Sequence, residues 1–134
     1  MDKPKFRAWK KIRIQEMFND VVRIDWLNNK IAIKYPNPGG NTFRIDEESL
    51  DNVILMQYTG LKDKNGVEIY EGDEIVGEYP NGKHFKGVVE YATDRAAYVV
   101  KTTNSWCPSP LEICKDCVVV GNIHENPELL NEVE

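Results

Sequence analysis

Four carboxylates fall within one short stretch of the chain: Asp63, Glu68, Glu71 and Asp73. Acids this close together can pass a proton as general acid and base, or hold a hard cation through oxygen. A second group offers softer ligands. Cys107, Cys114, Cys117 and His124 follow one another as C-x6-C-x2-C-x6-H. Thiolates two residues apart can share one tetrahedral zinc ion.

Both groups also have a structural reading. In TGLKDKNGVEIYEGDEIV, Asp63-Lys64-Asn65-Gly66 reads as a turn with Gly66 at positive φ. Glu71-Gly72-Asp73 reads as a second turn, whose Asp accepts backbone N–H groups where the next strand begins. The acids then hold two turns, and Val67 and Ile69 plug the end of a barrel. The spacing departs from the calcium-loop pattern, which needs a third acidic or amide ligand before the glycine and a glutamate further on. For the thiols, Cys107 precedes a proline and Val118-Val119-Val120 reads as a buried strand. No helix follows Cys-Lys-Asp-Cys to lower a thiol pKa for redox work. Neither His84 nor His124 has a catalytic partner, and neither a nucleophile elbow nor a phosphate-cradling loop occurs. The expectation is no catalytic residue, no metal and no cofactor, with zinc on the thiols as the alternative.

These groups must be positioned by β structure. Val21–Leu27 puts Val22, Ile24 and Trp26 on one face, and Ile31, Ile33 and Tyr35 resume the alternation after Asn28-Asn29-Lys30, which predicts a hairpin. Pro36–Asn41 is a loop. Over residues 46–55, Asp46 as cap and Leu50, Val53 and Ile54 at three- and four-residue spacing predict a short helix, with a strand-like exit through Leu55–Tyr58. Beyond it the chain reads as strands at Glu74–Tyr79, Phe85–Tyr91, Ala97–Lys101, Leu111–Cys114 and Cys117–Ile123. Thr93–Ala96 turns the chain, Thr102–Pro110 is a loop, and Asn81-Gly82 predicts a type I′ hairpin. Asn126–Leu130 begins a last helical turn. Gly60, Asp63, Asn65, Gly66, Gly72, Asp73, Asn81 and Gly82 are the turn residues of this half. Short strands separated by regular turns predict a mostly β fold with short α elements: residues 1–59 as a hairpin-and-helix half, and 60–134 as a small barrel ending in a short helix.

The 134 residues carry 41% hydrophobic and 29% charged side chains, the balance of a globular protein. The net charge of −5 weighs against sequence-independent binding to nucleic acid. The charge is uneven, however. Lys3, Lys5, Arg7, Lys10, Lys11 and Arg13 form a candidate basic patch, and Glu125, Glu128, Glu132 and Glu134 make the other end acidic. Such ends either solubilise the fold or meet phosphate or a neighbouring copy. No apolar run is long enough to span a bilayer, and MDKPKFRAWKK lacks the apolar core of a secretion signal. With three cysteines, an odd number, this places the chain in a reducing cytoplasm, away from membranes.

The KFRAW start, the segment LMQYTGLKDKNGVEIYEGDEIV, the later GVVEY and the ending VVGNIHENPELL together resemble the YopX family, small proteins of bacteriophage and prophage genomes. The resemblance spans nearly the whole chain. It implies a mostly β protein with an SH3-like C-terminal barrel, made inside a bacterial host, and it carries over no catalytic residues. The family's usual ending has Tyr at the position of His124, and the cysteines lie outside the shared motifs.

Tyr58, at the seam, and Tyr70, Tyr79, Tyr91, Tyr98 and Trp106, in the barrel half, are the candidate surface aromatics. Small barrels bind peptides or single strands through such faces, although a core also needs aromatics. The functional expectation is a non-catalytic accessory protein of a phage or prophage. It would be a protein-interaction or self-assembling module, a homo-oligomer or the partner of a phage or host protein, with these aromatics as contact surface. The alternative is a nucleic-acid-binding protein using the basic start and the barrel loops.

Overall fold

The computed structural model describes residues 4–102, 109–110 and 115–127. The chain divides into two units, Met1–Gln57 and Tyr58–Glu134. Both are antiparallel β, and no helix among the described residues is long and apolar enough to cross a membrane.

In the first unit, β1 (Phe6–Lys10) lies between β2 (Glu16–Phe18) and the first half of β6 (Val53–Lys62). A second sheet has the order β3 (Val21–Asp25), β4 (Lys30–Pro36), β5 (Phe43–Ser49). Ala8, Phe18, Ile31, Ile33 and Val53 form the core, with Val21, Ile24, Tyr35, Leu50 and Leu55 packed against it. The β3–β4 hairpin predicted from alternation is present, but its inward set differs. The register slips between Val21 and Arg23, so Val21 and Ile24 face the core and Val22 is left 47% exposed. One extra residue on one strand reverses the pleat of what precedes it. Trp26 lies beyond β3 in the connecting turn and is 69% exposed.

The helix expected over 46–55 is absent. Asp46–Ser49 complete β5, Leu50–Asn52 form a single 3-10 turn, and Val53 opens β6. The seven residues of β5 pair with β4 without a break, from Lys30 opposite Ser49 to Pro36 opposite Phe43. A strand edge offering that many backbone partners outweighs a few tenths of a kcal/mol of local helix preference per residue. The β-branched Val53 and Ile54 follow the same course into β6. The cap role falls to Ser49, whose Oγ accepts the Asp51 N–H at 3.2 Å.

In the second unit, the end of β6 pairs with β7 (Glu68–Tyr70). A five-stranded sheet runs β11 (Ser109–Pro110), β10 (Ala97–Thr102), β9 (His84–Ala92), β8 (Asp73–Glu78), β12 (Lys115–Asn122). Its core is Ile69, Ile75, Phe85, Val89, Val100 and Cys117, joined by Tyr79, Tyr98 and Val119. Gly60 lies inside β6, not in a turn: its φ of +88° falls where the β6–β7 register shifts between Tyr58 and Lys62. The β8–β9 hairpin forms, with a different turn from type I′. Gly82 has φ +87°, Asn81 stays at negative φ, the Gly82 N–H meets the Tyr79 carbonyl, and the Tyr79 N–H meets the Lys83 carbonyl. A two-residue turn would need an N–H from Pro80, which has none. The chain therefore takes a turn centred on Pro80-Asn81, followed by a left-handed glycine. The strand expected at Leu111–Cys114, most of the loop at Thr102–Pro110 and most of the helical turn at Asn126–Leu130 lie outside the described residues.

Candidate functional site

The acids of the opening stretch go to the backbone. The Asp63 side chain is buried, and its Oδ1 accepts the N–H groups of Asn65 at 2.8 Å and Val67 at 2.9 Å. Its Oδ2 accepts the Val119 N–H on β12 at 3.0 Å. Burial by itself would raise this carboxyl, but the N–H groups of Val119, Val67 and Asn65 outweigh it, helped by Lys64, and hold it below the usual carboxylate range. Gly66 has φ +83° and its N–H closes the turn on the Asp63 carbonyl. Lys64 N–H reaches the Cys117 carbonyl at 3.0 Å, so this loop is tied to β12 twice. Asp73 is fully buried and accepts the Tyr70 N–H at 2.8 Å, while Gly72, at φ +85°, donates to Val89 and accepts from Ile123. Glu68 and Glu71 are half-buried. Among the described residues, no three His, Cys, Asp or Glu side chains gather where one cation could sit.

Cys117 is a buried thiol whose pKa is pushed up by burial and by the neighbouring Asp63 carboxylate. Cys107 and Cys114 lie outside the described residues. His84 is exposed beside its turn. Near His124 sits a residue that sequence reasoning missed. Asn122 is buried, its Oδ1 accepts the N–H groups of His124 and Glu125, and its Nδ2 donates to Glu125 Oε1. An Asn directly after a glycine at a strand end was the available signal for this turn.

The aromatics do not form one surface. Tyr58 and Tyr70 stack at 5.6 Å, with Tyr70 buried. Tyr79 stacks on Phe85 at 4.8 Å and joins the core. Tyr91 and Tyr98 meet edge-on at 5.2 Å; Tyr91 is 45% exposed, while Tyr98 packs on the core. Trp106 lies outside the described residues. The basic stretch is similarly divided. Arg7 is buried, Lys10 pairs with Glu48 at 3.6 Å, and Lys5, Lys11 and Arg13 are exposed, whereas Lys3 lies outside the described residues. An open cleft of about 600 Å³ in the second unit has Val76 and Val118 among its lining residues, with Lys64 and Lys86 set against Glu78 and Asp116. The two signs balance, so the cleft selects neither an anion nor a cation.

Apolar surface is concentrated elsewhere. In the first unit Ile14, Trp26, Leu27 and Phe43 are each more than half exposed, and Val22 and Ile45 more than 40%. The turn that carries Trp26 and Leu27 is closed by Asp25, which accepts from the Asn28 N–H and Nδ2. Sequence reasoning missed the exposure of Val22 and Trp26, because it put both on the buried face of their hairpin.

A mostly β chain of two antiparallel units is the class this fold defines. The chain belongs to the YopX protein family, whose profile matches residues 5–131. Its fold is similar to the crystal structure of protein EF1440 from Enterococcus faecalis, at 34% identity and TM-score 0.63, covering 96% of this chain and 98% of that one. It is also similar to protein yopX from Bacillus subtilis, at 17% identity and TM-score 0.59, covering 93% and 96%. A comparison with curated proteins found no match.

Proposed function

We propose that this chain is a non-catalytic module that acts by protein contact and assembles with copies of itself. The observation that carries the reading is the apolar surface of the first unit, where Trp26 is 69% and Leu27 92% exposed. Exposed Trp is characteristic of residues that anchor protein interfaces. Two further facts support it. The Asp63 and Asp73 carboxylates are engaged with backbone N–H groups, so they make poor proton carriers. The basic start of the chain includes a buried Arg7 and a paired Lys10, which weakens it as a phosphate surface. The second unit we read as an SH3-like barrel: β8, β9 and β10 form a meander and β12 returns beside β8. Membership of the YopX family favours a phage or prophage accessory role in the bacterial cytoplasm. Size-exclusion chromatography with light scattering, at low and high salt and with absorbance at 260 and 280 nm, tests the reading. A discrete oligomer free of nucleic acid is expected. A monomer that carries nucleic acid until salt strips it away would overturn the reading.

A further inference from the structure

β5 is the outer strand of its sheet: β4 pairs with one side, and no described strand pairs with the other. Its first three residues are exposed, with Phe43 at 55% and Ile45 at 43%. It is seven residues long, without proline or bulge, so it lacks two of the common devices that keep sheet edges apart. Its remaining defence is charge, and the charges favour one partner and register.

We infer that β5 pairs antiparallel with β5 of a second copy about a two-fold axis at Ile45, joining two three-stranded sheets into one of six strands. This deepens the assembly reading above and rests on it. A two-fold axis perpendicular to a sheet sets residues of the same face opposite one another, so the axis must pass through a residue position. Three such registers pair five or more residues of β5. Centred on Asp46, Arg44 faces Glu48 twice, but Asp46 faces its own copy at the axis. Centred on Glu47, Glu47 faces its copy and Asp46 faces Glu48. Like charges directly opposite destabilise a strand pair. Centred on Ile45, Ile45 meets Ile45 at the axis, Arg44 faces Asp46 twice, and Phe43 faces Glu47. Lys34 Nζ already lies 4.3 Å from the Phe43 ring centre, and it adds a cation beside the incoming Glu47. In the single copy, Arg44 and Asp46 bond to each other along the strand at 3.2 Å, half exposed to water. Across a strand pair each gains a partner out of solvent, in addition to backbone bonds.

Sedimentation velocity on the intact chain tests the register through charge reversal. Arg44→Asp alone and Asp46→Arg alone each put like charges at both facing positions, so each variant is expected to associate at least about tenfold more weakly than the unaltered chain. Mixed together, the two variants have opposite charges at both positions, and association is expected to return as a heterodimer. Circular dichroism melts of each variant establish that the fold is kept. Variants that associate as well as the unaltered chain, or a mixture that stays dissociated, overturn the β5 interface while assembly itself stands. An unaltered chain that remains at 15.4 kDa at every concentration overturns both.

Discussion

Asp63 accepts three backbone N–H groups through its two carboxylate oxygens, and its replacement is informative. Asp63→Asn keeps the volume but turns one acceptor into an N–H₂ group aimed at backbone N–H donors. A cost of about 2 kcal/mol is expected, read as a lower urea midpoint at pH 7. The folded carboxyl titrates below the usual carboxylate range, so its stabilisation is complete above that range and is lost as pH falls through the folded value. The gap between the unaltered chain and Asp63→Asn should therefore narrow in acid; a gap that widens there would contradict the assignment. Gly66 is governed by conformation alone. At φ +83° a Cβ would meet nothing within 4 Å, so Gly66→Val is not a packing test. It should still lower stability by about 1 kcal/mol or more, because a β-branched residue is strained at positive φ, whereas Gly66→Asn should be better tolerated. Equal melting midpoints for the Val and Asn variants would show that backbone strain is not the cause. Both turns could be read from the sequence, since Gly, Asp and Asn carry their preferences locally. That Asp63 also reaches β12 could not, because the Val119 N–H is 56 residues away along the chain.

The strands show the same division between local and distant information. Alternation was enough to place β3 with β4, and β8 with β9 and β10, because neighbouring strands are joined by short turns. It failed at β5, where acidic residues and a three-residue apolar repeat imitate a helix until β4 supplies seven backbone partners. The bulge in β3 was also hidden, and with it the exposure of Val22, since a register slip leaves no mark on residue types. Pro80 was legible and was overlooked: its missing N–H excludes the two-residue turn. The close packing of β9 on β10 yields a further prediction. A Cβ on Gly87 would lie 2.6 Å from Val100 Cγ1 and 2.8 Å from the Lys101 carbonyl oxygen. The oxygen belongs to a paired strand and cannot step aside, so Gly87→Ala should cost about 1–3 kcal/mol, typical of overpacking. A thermal midpoint unchanged from the parent would mean that β10 yields more easily than its pairing implies.

For the chain as a whole, family membership and a mostly β architecture followed from the sequence, while the surface that carries the proposed function did not. Exposed Ile14, Trp26, Leu27 and Phe43 look like core residues in any pattern read without a partner strand. Their concentration in the first unit is what supports the proposed contact with another protein surface. Sedimentation equilibrium of the intact chain over a wide range of concentration tests that role most directly. The expected result is a mass that rises from 15.4 kDa to a fixed multiple of it and then levels off. A mass that stays at the single-chain value throughout would contradict it.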